Sequence, residues 1–406
     1  MSFDVDAIRS RYPALTEGYI HFDNAGGSQV ATAVADAVAA TLRAAVSNRS
    51  AAFEPGRRSG EIVAGARHAL ADLLGAAPHG IVLGPSATAL TYRTARALAD
   101  TWRAGDEIVV SRLDHDANVR PWVQVAARAG VTVRWAEFDR ATGGLPVAQY
   151  SQLVGERTRL VALTAGSNAN GTAPDVAAIS AIAHRVGALT YVDGVHSTPH
   201  HHTDVAALGA DFYVTSAYKW SGPHIAAVAA DPAVWERLRP MKLAPSPESV
   251  PDRFELGTAS FEQLAGVTAA IEHLATLVPS TGAASRRGRL AASFEAVQGY
   301  EDALLTRLAD GLATLPGITI FAPDTSSGRR CPTISFRLAD QSPARTAALL
   351  GERRICVSAG DYYAYEYFET LGLRDGGGAV RASIYHYNTE AEVDLLLSAL
   401  SDLCPR

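Results

Sequence analysis

"ALTYVDGVHSTPHHHTDVAALGADFYVTSAYKW", residues 188–220, decides the fold. Two short apolar runs, "ALTYV" and "FYV", are continuous rather than alternating, as strands buried on both faces are. Polar chemistry follows each run: Asp193 after the first, Ser216 and Lys219 after the second. The pattern extends outward. Upstream lie "GIVLG" (80–84), "DEIVVS" (106–111), "VTVRWAEF" (131–138) and "TRLVALTAGSN" (158–168), and downstream lies "IAAVAA" (225–230). Ala-rich helical stretches separate most of them. Such an alternation predicts an α/β domain around a parallel sheet, over residues 21–275. After it, "AASFEAVQGYEDALLTRLADGLATL", "CPTISFRL", "RICVSAG" and "TEAEVDLLLSALSDL" predict a smaller α+β unit of residues 276–406 together with 1–20.

Composition removes several function classes. The chain has 406 residues, 48% hydrophobic and 19% charged, with a net charge of −6. Nucleic acid or an anionic membrane is therefore a poor main partner. No apolar run approaches the roughly 20 residues that cross a bilayer. The start, "MSFDVDAIRSRYPAL", is acidic and lacks the apolar core of a signal peptide, so we expect a cytoplasmic protein. Cys331, Cys356 and Cys404 give neither a disulfide framework nor a zinc spacing. Adjacent residues of an extended loop point in different directions, so we expect His200, His201 and His202 to be solvated and to bind no metal. "SRRGRL" (285–290) is expected to be a solvated face.

Ligands of an open parallel sheet sit at the C-terminal ends of its strands. Ser86 and Thr88 follow "IVLGP" and begin a helix, a place that suits either a plain N-cap or a phosphate. His115 and Asn118 follow "IVVS", Asn168 ends "LVALTAGSN", and Asp193, Ser216 and Lys219 follow their own runs. Taken together they set a phosphate cradle, a stacking imidazole, a carboxylate and an amine along one sheet edge. Pyridoxal 5′-phosphate uses such a set, since it bonds to a lysine and needs a carboxylate at its ring nitrogen. A dehydrogenase would want G-x-G-x-x-G after the first strand, and "LGPSATAL" does not supply it.

The chain resembles the PLP-dependent, fold-type I enzymes of the class V aminotransferase group, within it the cysteine desulfurase branch. The resemblance rests on "HFDNAGGSQ" (21–29), "LDHDANVRPW" (113–122), "SNANGT" (167–172), "VDGVH" (192–196), "DFYVTSAYKW" (211–220), "RFELGT" (253–258) and "VRASIYHYNTEAEVD" (380–394). It implies a mostly parallel sheet of the seven-stranded type in the large domain. It implies Lys219 as the Schiff-base lysine, Asp193 as partner of the ring nitrogen and His115 as the ring-stacking residue. Asn168 and His196 then stand near the ring hydroxyl, and Ser86, Ala87, Thr88, Ser216 and Tyr218 near the phosphate. Gly257 and Thr258 resemble the segment that reaches a neighbouring subunit's phosphate, which implies a homodimer with shared active sites. Arg381 resembles the residue that grips the α-carboxylate of a small amino-acid substrate, with Asn24, Ala25, Gly26, Tyr362 and Tyr363 around it.

One departure matters. Relatives of the desulfurase branch carry a nucleophilic Cys where this chain has "SAGDYYAYEYF" (358–368), with Tyr363 at the corresponding position. Cys331 and Cys356 lie in strand-like runs, where thiols are usually inert. The expected chemistry therefore runs through an external aldimine and a quinonoid to a C–S or other β-elimination lyase. The alternatives are an aminotransferase, an epimerase or cyclising enzyme, a true cysteine desulfurase, and a non-catalytic member of the family.

Overall fold

Runs of Val, Ile, Tyr and Phe become strands because branched and aromatic side chains pack well on a pleated surface. The computed structural model describes residues 3–279, 285–321 and 329–404. Seven strands form the large sheet: β1 (Ile81–Gly84), β2 (Glu107–Ser111), β3 (Thr132–Ala136), β4 (Thr158–Thr164), β5 (Leu189–Asp193), β6 (Phe212–Ser216) and β7 (Ala226–Ala230). Their order is β1-β7-β6-β5-β4-β2-β3. Pairing is parallel except at β7, which runs antiparallel to both β1 and β6. The stretch 217–225 between β6 and β7 is too short for the crossover that a parallel partner needs. The C-terminal ends of β1 to β6 consequently share one edge.

A second, antiparallel sheet holds β8 (Ile318–Phe321), β9 (Thr333–Leu338), β10 (Ser358–Gly360) and β11 (Ala379–Ser383) in the order β10-β11-β9-β8. Its core includes Leu304 and Leu308 of the helix Arg286–Thr314 and Leu396 of the helix Glu390–Leu403. Phe22 joins this core, and Ile20–His21 pairs in parallel with Ile355–Cys356. The start of the chain thus ties the two sheets together. Among the described residues, no helix is long and apolar enough to cross a membrane.

The structure corrects two surface expectations. His200 and His201 are not solvated: they are 3% and 2% exposed. The loop is coiled rather than extended, with Thr198 N bonded to Gly194 O at 2.8 Å and His201 N to Ser197 O at 3.1 Å. This turn directs His200 Nδ1 onto the buried carboxylate of Glu301, 2.8 Å away. His202 is half-buried. Among the described residues, no group of three or more His, Cys, Asp or Glu is placed to hold a metal. The arginines of "SRRGRL" form an ion-paired seam instead of a bare solvated face, Arg286 on Asp72 and Glu272, Arg287 on Asp204 and Arg289 on Glu272.

The His200–Glu301 pair gives a stability test. Removing one partner of a buried hydrogen-bonded pair leaves the other unsatisfied, at a cost of about 1 to 3 kcal/mol. Glu301→Ala should lower the urea midpoint accordingly without changing the slope. An unchanged midpoint would show that the pair does not hold the helix Arg286–Thr314 to the loop.

Candidate active site

The edge where β1 to β6 end carries a cavity. Asp193 is the last residue of β5, Ser216 the last of β6, and Lys219 closes the 3₁₀ turn Ala217–Lys219. Ser86 caps the helix Ala87–Ala99, its hydroxyl accepting from Ala89 N at 3.1 Å. These residues line an inner pocket of about 90 Å³ together with Ala87, Thr88, His115, Asn168, His196 and Tyr218. Thr88, His115, Asn168, Tyr218 and Lys219 also face an outer cavity of about 650 Å³, to which Ala25, Gly26, Tyr362, Tyr363 and Arg381 contribute.

Four residues of the expected set stand elsewhere. Asn24 does not line either cavity. Its amide is consumed by the fold, donating to His21 O at 2.8 Å and Ser383 O at 3.0 Å and accepting from the Tyr387 hydroxyl. Gly257 and Thr258 line a separate cleft of about 630 Å³, so one chain does not bring them to its own pocket. Asn118 is also taken up internally, between Asp114 (2.7 Å) and Trp122 (2.9 Å).

Burial sets the electrostatics. Desolvation, with Arg381 close by and Asp193 only partly offsetting both, brings the Lys219 amine down to about 7. Its Nζ donates to the Ala25 carbonyl. Burial pushes the Asp193 carboxyl up to about 6, against the opposing pull of the Val195 N–H (2.9 Å) and Lys219. His115 falls to about 4 through burial and the nearby cations, so its ring is neutral at neutral pH. Its Nδ1 accepts from Ala117 N at 3.0 Å, which leaves the proton on Nε2. His196 is likewise held well below its ordinary range by burial, and its Nε2 lies 2.9 Å from Thr333 Oγ1.

Arg381 reaches the outer cavity from β11 of the other sheet. It donates to Asn168 O at 2.9 Å and Ser358 Oγ at 3.2 Å, and its guanidinium lies 4.4 Å from the centre of the Tyr362 ring. Burial lowers it to about 10, which leaves it a cation. Tyr362 and Tyr363 both adopt the left-handed conformation, at φ 49° and 60°. Asn168 Nδ2 holds the Tyr362 carbonyl at 2.9 Å, and Asp116 N holds the Tyr363 carbonyl at 2.7 Å. The Tyr363 side chain is 72% exposed and stacks on His115, with ring centres 5.5 Å apart.

The thiols lie away from this chemistry. Cys331 is fully buried near His196 O and His201 Nε2, and burial pushes it up to about 12. It precedes β9 rather than starting it. Cys356 is half-buried on the two-stranded ribbon, and Cys404 ends the last helix. Neither cavity is lined by a Cys.

Sequence reasoning missed Ser358, Thr333, Val195 and Asp114. Asp114, beside His115, is pushed up to about 8 by burial. An Asp on each side of a strand-end His was the one local signal. Ser358 and Thr333 reach the site from the other sheet, with no local mark.

This strand order, with a desolvated lysine on the turn after β6, belongs to the fold-type I pyridoxal-phosphate enzymes. The chain is a member of the class-V aminotransferase family, which it matches over residues 20–396. Protein MT3887 of Mycobacterium tuberculosis, described as uncharacterized, is 35% identical over 404 residues, covering 99% of this chain and 100% of that one. Aminotransferase-like protein FGM3 of Gibberella zeae is 34% identical over 409 residues, 98% of each. The cysteine desulfurase CsdA of Escherichia coli superposes with a TM-score of 0.86 at 28% identity, covering 99% of this chain and 98% of that one.

The residues present fit pyridoxal phosphate. Asn168 Oδ1 and Arg381 Nε are buried without a partner at the pocket. The amides of Ala87 and Thr88 precede the first intrahelical bond, from Leu90 N to Ser86 O, and are open to a phosphate. The Asp193 carboxyl, buried in the inner pocket and with no ion pair among the described residues, would suit a protonated ring nitrogen.

Only a neutral amine attacks an aldehyde. Covalent capture of pyridoxal phosphate by the apoprotein, trapped with borohydride, should therefore speed up as pH rises to about 7 and then level off. A rate still rising at about pH 9, as for an ordinary lysine, or capture by Lys219→Ala, would overturn the assignment.

Proposed function

We propose that the chain is a β-elimination lyase acting on a small amino acid that carries a sulfur leaving group on Cβ. The observation that supports this reading is the outer cavity itself. It offers a carboxylate grip and a base but no thiol to receive sulfur. Bound pyridoxal phosphate supplies a ring that draws electron density away from Cα of the attached amino acid. Arg381 takes the α-carboxylate in a two-pronged contact. Asp193 would hold the proton on the ring nitrogen, and His115 would lie against the ring face. Lys219, with its amine tuned to about 7, would take the proton from Cα as general base. Net elimination would break the Cβ–S bond, the sulfur leaving with the bonding pair and taking up the proton lost from Cα, and water would turn the three-carbon product into pyruvate and ammonia.

The aminotransferase reading, carried by the fungal relative's name, has less support here. An acidic amino-group partner needs a second free cation. Arg120, the other guanidinium lining the outer cavity, is held by Asp116 at 2.7 Å and by Glu366. Product analysis tests the proposal. S-substituted cysteines should yield pyruvate and ammonia in equal amounts, unchanged in a Cys331→Ser, Cys356→Ser double variant. Alanine formed together with a protein persulfide, and lost in that variant, would restore the desulfurase reading.

We propose further that two copies share their sites through the cleft of Gly257 and Thr258. Leu243 and Leu256 line it while 68% and 51% exposed, an apolar surface that a second copy would cover. Chains carrying Lys219→Ala and chains carrying Gly257→Trp should each be inactive, and mixing them with exchange should restore activity, because one site per mixed dimer is intact. Lack of recovery in demonstrably mixed dimers would place each site within a single chain.

A further inference from the structure

We propose that His224 is a positioning residue of the cofactor pocket, acting through Tyr218. The two rings stack with centres 4.9 Å apart and planes only 8° from parallel. Tyr218 lines the inner pocket and the outer cavity, whereas His224 lines the separate cleft of Gly257 and Thr258. The stacked pair is thus a wall between the pocket and that cleft. No described group hydrogen-bonds the Tyr218 hydroxyl, so packing alone orients its ring. That packing comes from His224, from Gly27, where a Cβ would lie 3.2 Å from Tyr218 Cδ2, and from Lys219, whose Nζ is 5.0 Å from the ring centre. An unbonded phenol beside the reactive lysine is free to hydrogen-bond a bound phosphate, provided its ring stays upright. His224 supplies that provision. It is exposed on the single chain, so its replacement opens no core; because the cleft it lines is the one assigned above to a second copy, each variant's dimer content is checked by sedimentation and must match wild type.

The inference rests on the family assignment, and the experiment separates the two. Pyridoxal phosphate is titrated into apoprotein by absorbance, and its loss on dialysis is timed. Wild type should bind. His224→Ala should bind about two- to tenfold more weakly, the range of one aromatic pair, and release cofactor faster by a similar factor. His224→Phe, which keeps a stacking ring, should restore wild-type binding. In a Tyr218→Ala background, His224→Ala should add no further loss. Unchanged binding in His224→Ala, failure of His224→Phe to restore it, or a loss that persists in the Tyr218→Ala background would overturn the proposal while leaving the family assignment intact. A wild type that binds no cofactor would overturn both.

Discussion

Two cations share one desolvated pocket, and the rest of the site follows from how that conflict resolves. A guanidinium holds its proton far more firmly than an ammonium. Arg381 therefore stays charged, and the amine of Lys219 gives way. The two groups come from different sheets, Lys219 from the turn after β6 and Arg381 from β11. The tuning of the amine is thus a property of how the sheets dock. The segment from Ile20 to Gln29 fixes that docking. Phe22 enters the smaller core, Asn24 bonds Ser383, and the next carbonyl, that of Ala25, receives the lysine.

Asp193 and His115 complete the balance from below and above. Asp193 is buried and His115 half-buried, and both have their proton affinities moved by desolvation more than by any partner. A buried carboxyl whose nearby amine offsets its burial only in part, and an imidazole kept neutral, are costly features for a core. They are tolerated at a site because a bound group relieves one and uses the other.

Much of this was legible in the sequence, for a physical reason. A strand buried on both faces must be continuously apolar, so the first polar residue after it marks the sheet edge. Asp193, Ser216, Lys219, Asn168 and His115 were found that way. What failed were features set by the return of distant chain. His200 meets Glu301 from a helix about a hundred residues later, and nothing in "HHH" announces that carboxylate. Asn24 was expected beside the substrate, yet its amide is consumed by the His21 and Ser383 carbonyls and the Tyr387 hydroxyl. The reversed direction of β7 was readable from the short stretch 217–225 and was overlooked.

The turn at Tyr362 and Tyr363 has an evolutionary side. Its left-handed backbone is fastened by Asn168, Asp116 and Asp361, groups that grip carbonyls and amides and are indifferent to which side chain sits at 363. The side chain itself stands mostly in water, touching His115. Exposed positions of this kind are exchanged at small energetic penalty. The loop therefore works as an interchangeable tool-holder. The lysine, the arginine and the carboxylate sit on the scaffold, and the side chain at 363 can be exchanged without putting folding at risk.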